Sequence, residues 1–310
     1  MPPVSSHFDL TSIHPSSIQL KVLRTFNVLT ILLSFFSNSY SIAFSHPNIG
    51  EISDKHPTYF TPSLTFVGIF WFILYCLQFG FAFFAQFSNI HIVQDVVENG
   101  VSWWFSLSNL FLCGWLFFWM RENFIISELF VLLILISTSI AHNWLITKYT
   151  PNHIPASVAY KIVTFTHIPF AMFVAFTWLD LFHNGFIAFA SGYENVEYVN
   201  IAIVLAFILA IIGICWCITG VFSYGKRDGV VSFTIAWALL GVAVHQRETK
   251  SLSITCSVLA LIQIIIIFIV WKKYGGNSIA LLTSGSKPTR SRIASTRNDL
   301  REPLLPQHHE

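Results

Sequence analysis

The sequence predicts an all-α protein that crosses a membrane about eight times as a helical bundle. Hydrophobic residues make up 54% of the 310 residues and charged residues only 10%, whereas a soluble domain carries about 25% charged residues. The apolar residues form eight runs, each close to the ~20 residues that a helix needs to cross the hydrocarbon core. The predicted spans are residues 25–44, 63–87, 101–120, 125–146, 160–181, 199–222, 229–246 and 252–271.

The segments that flank the apolar runs are polar. Residues 1–24 lack the basic-then-apolar order of a cleaved signal peptide, so we expect a polar N-terminus followed by a signal-anchor helix. Residues 273–310 are rich in Gly, Ser, Thr, Arg and Pro, which predicts a disordered basic tail. Most of the 17 Lys and Arg residues flank the side that holds both termini. The positive-inside rule therefore predicts cytosolic termini, without indicating which membrane is crossed.

Charge, cysteines and motifs exclude several functional classes. The net charge of +2 is too small to indicate nucleic-acid binding. The five cysteines lie inside apolar runs, which favours small buried side chains over a disulfide framework or a metal site. The chain has no metalloprotease or serine-hydrolase signature, so no catalytic residue is predicted and a non-enzymatic role is favoured.

The second apolar run carries the most informative pattern. It begins with the pair Thr61-Pro62, which sets the entry to a helix that has no charged residue. At 100° per residue, Gly68, Trp71 and Tyr75 fall on one face, where the glycine would allow a close helix approach. A helix face against lipid needs neither a glycine nor aromatic side chains with polar atoms, so we expect this face to pack on protein or on a ligand. Ordinary helix packing is the alternative, which spacing alone favours.

Two further faces combine aromatic and polar side chains. They carry Ser108, Leu112, Trp115 and Trp119 in the third span, and Pro169, Phe173, Phe176, Asp180 and His183 in the fifth. If these faces meet the one in the second span, they enclose an aromatic-walled cavity that suits a flat apolar ligand. A Phe-rich core without a cavity is the alternative. The proline in the fifth span also predicts a kink.

Three ionisable side chains in the fifth span are candidates for proton or ion handling. They are His167, Asp180 and His183. His167 is the one histidine expected at mid-depth, so neither a haem nor a metal site is predicted. A secondary transporter or channel that uses His167 and Asp180 is one alternative function. A membrane enzyme with Asp180 and His183 as an acid–base pair is another, and a structural protein without a ligand is a third.

Four segments occur in an order that resembles one known family. They are Thr61-Pro62 with Gly68, Trp71 and Tyr75, SNLFLCGWLFFW at residues 108–119, Pro169-Phe170 with Phe176, and DGVVSFTIAWALLGV at residues 228–242. On these motifs the chain resembles the TspO/MBR family of tryptophan-rich sensory or translocator proteins, in its longer eight-span branch. The resemblance implies that residues 25–185 form a five-helix bundle and that residues 186–272 add three transmembrane helices.

The resemblance also implies a ligand. Members of the family hold porphyrins, sterols or synthetic aromatic compounds, and their role is argued between transport, sensing and porphyrin breakdown. We therefore expect the chain to bind, sense or pass a lipophilic aromatic ligand, tetrapyrrole or sterol-like, in a pocket within the bundle. The expected lining residues are Gly68, Trp71, Tyr75, Trp115, Trp119, Phe173 and Phe176.

The sequence departs from the family pattern at three positions. Leu112, Phe173 and Leu181 stand where the family has asparagine, tryptophan and asparagine. The expected partners are the lipid bilayer and one small lipophilic ligand, with no cofactor beyond a tetrapyrrole or sterol, and a homo-oligomer stays open.

Overall fold

The computed structural model describes residues 17–149, 156–190 and 196–274, and it confirms the all-helical prediction. These residues form no β-strand. The helices are α1 (Ile18–Ala43), α2 (Ile49–Lys55), α3 (Leu64–Phe87), α4 (His91–Asp95), α5 (Trp104–Trp119), α6 (Phe124–Lys148), α7 (Ala156–Ile162), α8 (Ile168–Phe189), α9 (Val196–Ile218), α10 (Gly229–His245) and α11 (Lys250–Tyr274). Most of the predicted N-terminal segment and nearly all of the predicted tail lie outside the described residues.

A helix occupies each of the eight predicted spans, but two of the eight are short. Six helical segments are long and apolar enough to cross a membrane. The predicted third span is a bent pair, because the helix His91–Val101 meets α5 at 49°. The predicted seventh span, α10, has only 17 residues. The multi-pass helical bundle is therefore confirmed, with six or seven full-length spans by length and composition and α10 as a shorter apolar helix.

The fifth span is longer than predicted and contains a π-helical turn. α7, the π turn Val163–His167 and α8 run on from one another, and Val158–Phe189 is a single apolar segment of 32 residues. Pro169 lies just after the π turn, at the start of α8. A π turn changes the local backbone hydrogen-bond pattern, so the missing N–H of proline falls where the regular ladder is already interrupted.

α10 joins the last three helices to the rest of the bundle. It packs on α9 and α11 and also on α8 and α3. Its Gly241 carbonyl accepts a hydrogen bond from Ser63 N at 2.9 Å, and its Trp237 Nε1 donates to Phe66 O at 3.1 Å. One apolar core contains side chains from both parts of the chain. The division into residues 25–185 and 186–272 stays a prediction.

Polar contacts tie the connecting segments together at each end of the bundle. At the end where α1 begins, here called the amino end, Arg24 donates to Ser88 O at 2.6 Å and Tyr149 donates to Asp95 at 2.7 Å. Burial and the Asp95 carboxylate raise the pKa of Tyr149. The end where α1 finishes is called the far end. The cytosolic location of both termini stays a prediction.

An exposed ionic cluster at the far end is centred on Glu122. Glu122 accepts hydrogen bonds from Lys55 at 2.7 Å and His56 at 2.8 Å. Lys55 and His56 together lower the pKa of the Glu122 carboxyl. This cluster links the end of α2 to the turn between α5 and α6.

Candidate functional site

A cavity of about 470 Å³ lies at the far end, where α1, α2, α3, α5 and α8 converge. Its α1 and α2 walls include Asn38, Ile42 and Ser53. Ile42 and Phe72 line the cavity and are also 58% and 71% exposed on the outer surface. In a membrane-spanning bundle such apolar surface faces lipid, so the cavity can be reached from the side.

The α3 wall includes the three residues on the predicted face. Gly68, Trp71 and Tyr75 all line the cavity. A Cβ added at Gly68 would meet no atom within 4 Å. The interpretation of Gly68 as a site of close helix approach is therefore wrong, because this glycine leaves open space in the cavity wall.

Tyr75 connects the cavity to α1. Its hydroxyl lies 3.0 Å from Ser34 Oγ and accepts a hydrogen bond from Asn38 Nδ2 at 3.2 Å. The ring of Trp71 lies beside that of Tyr75, with 5.7 Å between centroids. The aromatic wall is thus held in place by hydrogen bonds at its polar edge, leaving the indole face available for stacking.

The α5 wall consists of two indoles one turn apart. Trp115 and Trp119 line the cavity, and their centroids are 5.5 Å apart. Trp115 Nε1 donates to Asn184 Oδ1 at 3.4 Å. Trp119 Nε1 is buried without a hydrogen-bond partner among the described residues. One indole is therefore fixed by the protein, while the other keeps a free donor.

α8 contributes polar side chains to the cavity and aromatic side chains behind it. Asp180 and His183 line the cavity. Phe173 and Phe176, which were expected in the lining, lie in the core instead and are only 2% exposed. They contact the back of Trp71, at centroid distances of 5.9 and 6.2 Å. Their role in the structure is to support the tryptophan.

The polar end of the cavity is unpaired. Asp180 makes no hydrogen bond to another described residue. His183 Nε2 is buried and has no hydrogen-bond partner among the described residues. The imidazole ring lies 5.7 Å from the ring of Trp119. No lysine or arginine occurs among the described residues that line the cavity. The cavity therefore offers aromatic faces, one carboxyl group and one imidazole on its α8 side, and amide and hydroxyl groups on its α1 and α2 side.

A family model described as TSPO-like protein matches residues 24–271, which is most of the chain. The chain belongs to the TSPO-like protein family. The membership expected from the four motifs is confirmed, and the match continues through α9 and α10 into α11. No curated protein and no solved structure matches the chain significantly.

Sequence reasoning missed the amide that supports the cavity of this TSPO-like protein. Asn184 is buried and accepts a hydrogen bond from Ser127 at 2.8 Å while donating to Glu128 at 2.8 Å. It lies three residues after Leu181, where the family pattern has an asparagine, and so remains near the same face of the helix. A search one turn beyond the expected position would have found it.

His167 lies away from the cavity, in a second polar group near the amino end. Its ring centroid is 5.3 Å from that of His142, and both imidazoles contact Asp228. The expectation that His167 is the one histidine at depth is wrong, because His142 on α6 faces it. Thirteen residues of helix, about 20 Å, separate His167 from Asp180. His167 and Asp180 therefore do not form one polar site. The transporter alternative would need such a site if a proton passed directly between them.

Proposed function

We propose that this TSPO-like protein binds a lipophilic ring-shaped ligand of the sterol type in the far-end cavity, and that it senses the ligand or passes it to or from the bilayer. The proposal rests on a cavity that has aromatic side chains on its α3 and α5 walls and an unpaired carboxyl and imidazole on its α8 wall. Ligand sites usually have volumes of about 300–1,000 Å³ and apolar walls with a few polar groups. The cavity of about 470 Å³ falls in that range.

The aromatic walls supply the affinity. Trp71 and Trp115 are partly exposed and present apolar ring surface on two sides of the cavity, while the more buried Tyr75 and Trp119 pack beside them. A flat ring system gains both area burial and stacking against such faces. The lateral opening beside Phe72 lets a ligand dissolved in the bilayer enter without crossing water, which supports a membrane-derived ligand.

The polar end favours a sterol over a tetrapyrrole. A tetrapyrrole with carboxylate side chains would place negative charge near Asp180 and would find no lysine or arginine in the lining. Burying an unpaired charge is costly. A hydroxyl or amino group can instead donate a hydrogen bond to Asp180 or share one with His183. We therefore expect a neutral or cationic ligand whose single polar group points at α8.

Equilibrium binding tests this proposal. Purified protein in detergent is titrated with a fluorescent sterol and, separately, with protoporphyrin, and energy transfer from tryptophan reports binding. We expect saturable sterol binding, weaker porphyrin binding, and at least a tenfold loss of sterol affinity in Gly68→Leu, because the new side chain occupies the open space in the wall.

A matched control separates cavity filling from general perturbation of the helix. Cys76 is exposed on α3 and does not line the cavity. Cys76→Leu adds similar bulk to the outer face and should leave sterol affinity unchanged. Non-saturating sterol signal in the wild type, or equal loss in both variants, would overturn the proposal and favour a structural role without a ligand.

A further inference from the structure

A cluster of two histidines and one aspartate lies near the amino end, distant from the cavity. His142 comes from α6, His167 from the π turn before α8, and Asp228 from the residue that precedes α10. The side chains of His142 and Asp228 are fully buried, and that of His167 is 8% exposed. These three residues are here called the His–Asp–His cluster.

Asp228 is held in a fixed orientation by the start of α10. It is the N-cap residue of that helix, and its Oδ1 accepts hydrogen bonds from Val230 N at 2.8 Å and Val231 N at 3.4 Å. Capping of this kind uses one carboxylate oxygen to satisfy the unpaired N–H groups of the first turn. The other oxygen, Oδ2, is directed at the histidines.

Both imidazoles approach the same oxygen with the same kind of nitrogen atom. His142 Nε2 donates a hydrogen bond to Asp228 Oδ2 at 2.7 Å. His167 Nε2 lies 3.0 Å from the same oxygen, but it is buried and not aligned for a hydrogen bond with this or another described residue. One of the two buried imidazole nitrogens that face the carboxylate therefore has no hydrogen-bond partner among the described residues. Buried polar atoms are normally paired, so a partner shared by both histidines and the aspartate is missing from this group.

We propose that the His–Asp–His cluster binds one divalent transition-metal ion, of which Zn²⁺ is the best match. One ligand atom from each of the three side chains lies within 4.8 Å of the others. Ligands at the usual zinc distances of about 2.0–2.2 Å stand about 3.3–3.6 Å apart in a tetrahedral site. The two nitrogen–oxygen distances, 2.7 and 3.0 Å, would lengthen by about 0.3–0.9 Å when an ion enters between the ligands.

The donor set and the surrounding structure fit such an ion. Two imidazoles and a carboxylate suit zinc and neighbouring transition metals better than Mg²⁺ or Ca²⁺, which prefer all-oxygen sites. Three protein ligands leave one position for water or another small ligand. His167 is the one ligand with exposed surface, so the ion enters on its side. The π turn that carries His167 is of a type that recurs at functional sites.

A metal at this position would couple the two parts of the chain. His142 and His167 belong to the helices predicted as the five-helix unit, whereas Asp228 opens the second of the three helices that follow α8. An ion shared between them would fix α10 against α6 and α8. It would also fill a site that the sequence did not predict, since no metal ligands were expected.

Cobalt titration tests the proposal. Full-length protein is purified in detergent through an affinity tag without histidine, stripped with a chelator, and titrated with Co²⁺ while its visible absorption is recorded. Zn²⁺ competition and metal analysis then give the stoichiometry. We expect one ion per chain, and we expect His142→Ala and His167→Ala each to weaken binding by more than the roughly 100-fold that loss of a supporting residue costs.

Two further variants keep the test decisive. Asp228→Asn retains an oxygen that can cap α10 but loses the anionic ligand, so it should fold and still lose the ion. His245→Ala, at the other end of α10, should bind as the wild type does. Absence of a Co²⁺ spectrum in the wild type, or an unchanged spectrum in Asp228→Asn, would overturn the proposal, and the cluster would then hold only a shared proton. Sterol binding at the far end is measured separately and does not depend on either result.

Discussion

The cavity and the His–Asp–His cluster are two polar regions of this bundle that are built in opposite ways. In the cavity, Asp180 and His183 lie in the wall without hydrogen bonds to other described residues. In the cluster, His142, His167 and Asp228 are packed against one another and almost fully buried. The first arrangement suits an organic ligand that comes and goes, whereas the second suits a small occupant that stays. The difference predicts different responses to mutation.

Removal of the two carboxylates should give the largest contrast. Asp228→Ala leaves two buried imidazoles without their partner and removes a helix cap, so we expect a loss of about 3–5 kcal/mol in the free energy of unfolding. Asp180→Ala should change it by less than about 1 kcal/mol, because Asp180 makes no hydrogen bond to the described protein. Unfolding of both variants in the same detergent measures the difference. Equal losses would mean that Asp180 has a structural role similar to that of Asp228.

Substitution of two glycines should distinguish the open cavity wall from a tightly packed contact between helices. A Cβ at Gly114 on α5 would clash with the ring of Phe130, whereas one at Gly68 would meet open space. We expect Gly114→Ala to destabilise the protein by about 1–3 kcal/mol and Gly68→Ala to be neutral or slightly stabilising. Thermal unfolding with and without sterol checks both. A destabilised Gly68→Ala would show that the cavity is closed in the detergent-solubilised protein.

Removal of the Tyr75 hydroxyl should have a smaller effect, which should be seen in both protein stability and ligand affinity. Tyr75→Phe keeps the ring but removes the hydroxyl that Ser34 and Asn38 contact. We expect a loss of about 1 kcal/mol, the usual net value of a hydrogen bond, with more if Asn38 remains unsatisfied. Unfolding midpoint and sterol affinity are measured on the same preparation. An unchanged midpoint would indicate that water replaces the hydroxyl at this position.

The ionic cluster around Glu122 should give the smallest effect, visible as pH dependence. The pKa of the Glu122 carboxyl is lowered in the folded state by Lys55 and His56. The stabilisation is therefore fully present above the ordinary glutamate pKa and is lost as the pH falls through the lower folded value. The difference in unfolding midpoint between wild type and Glu122→Gln should narrow in that acidic range. A difference that is constant with pH would show that the charge of Glu122 contributes nothing to the stability of the fold.

The sequence predicted the helices well because lipid imposes a simple requirement. Each apolar run long enough to span the core became a helix, since backbone groups in lipid must be satisfied internally. The irregular backbone was not predictable in the same way. The π turns at Val96–Val101 and Val163–His167 depend on packing between helices, and no local pattern marks them.

The site was partly predictable for a related reason. Trp71, Tyr75, Trp115 and Trp119 share helix faces, and periodicity finds residues that share a face. Periodicity does not give the distance of a face from its neighbour, so it could not show that Phe173 lies behind Trp71. The His–Asp–His cluster was not predictable at all from spacing. Its members come from three separate segments, and tertiary packing alone brings them together.

If the far-end cavity binds a ring-shaped lipophilic ligand, a bound sterol should contact the residues of its walls. The most direct measurement is photolabelling of the protein with a diazirine sterol, followed by mass spectrometry of the labelled peptides. We expect saturable labelling of residues 64–75 and 180–183, abolished by excess unlabelled sterol and reduced in Gly68→Leu. Labelling confined to the exposed surface of α11, or labelling that excess sterol does not reduce, would contradict it.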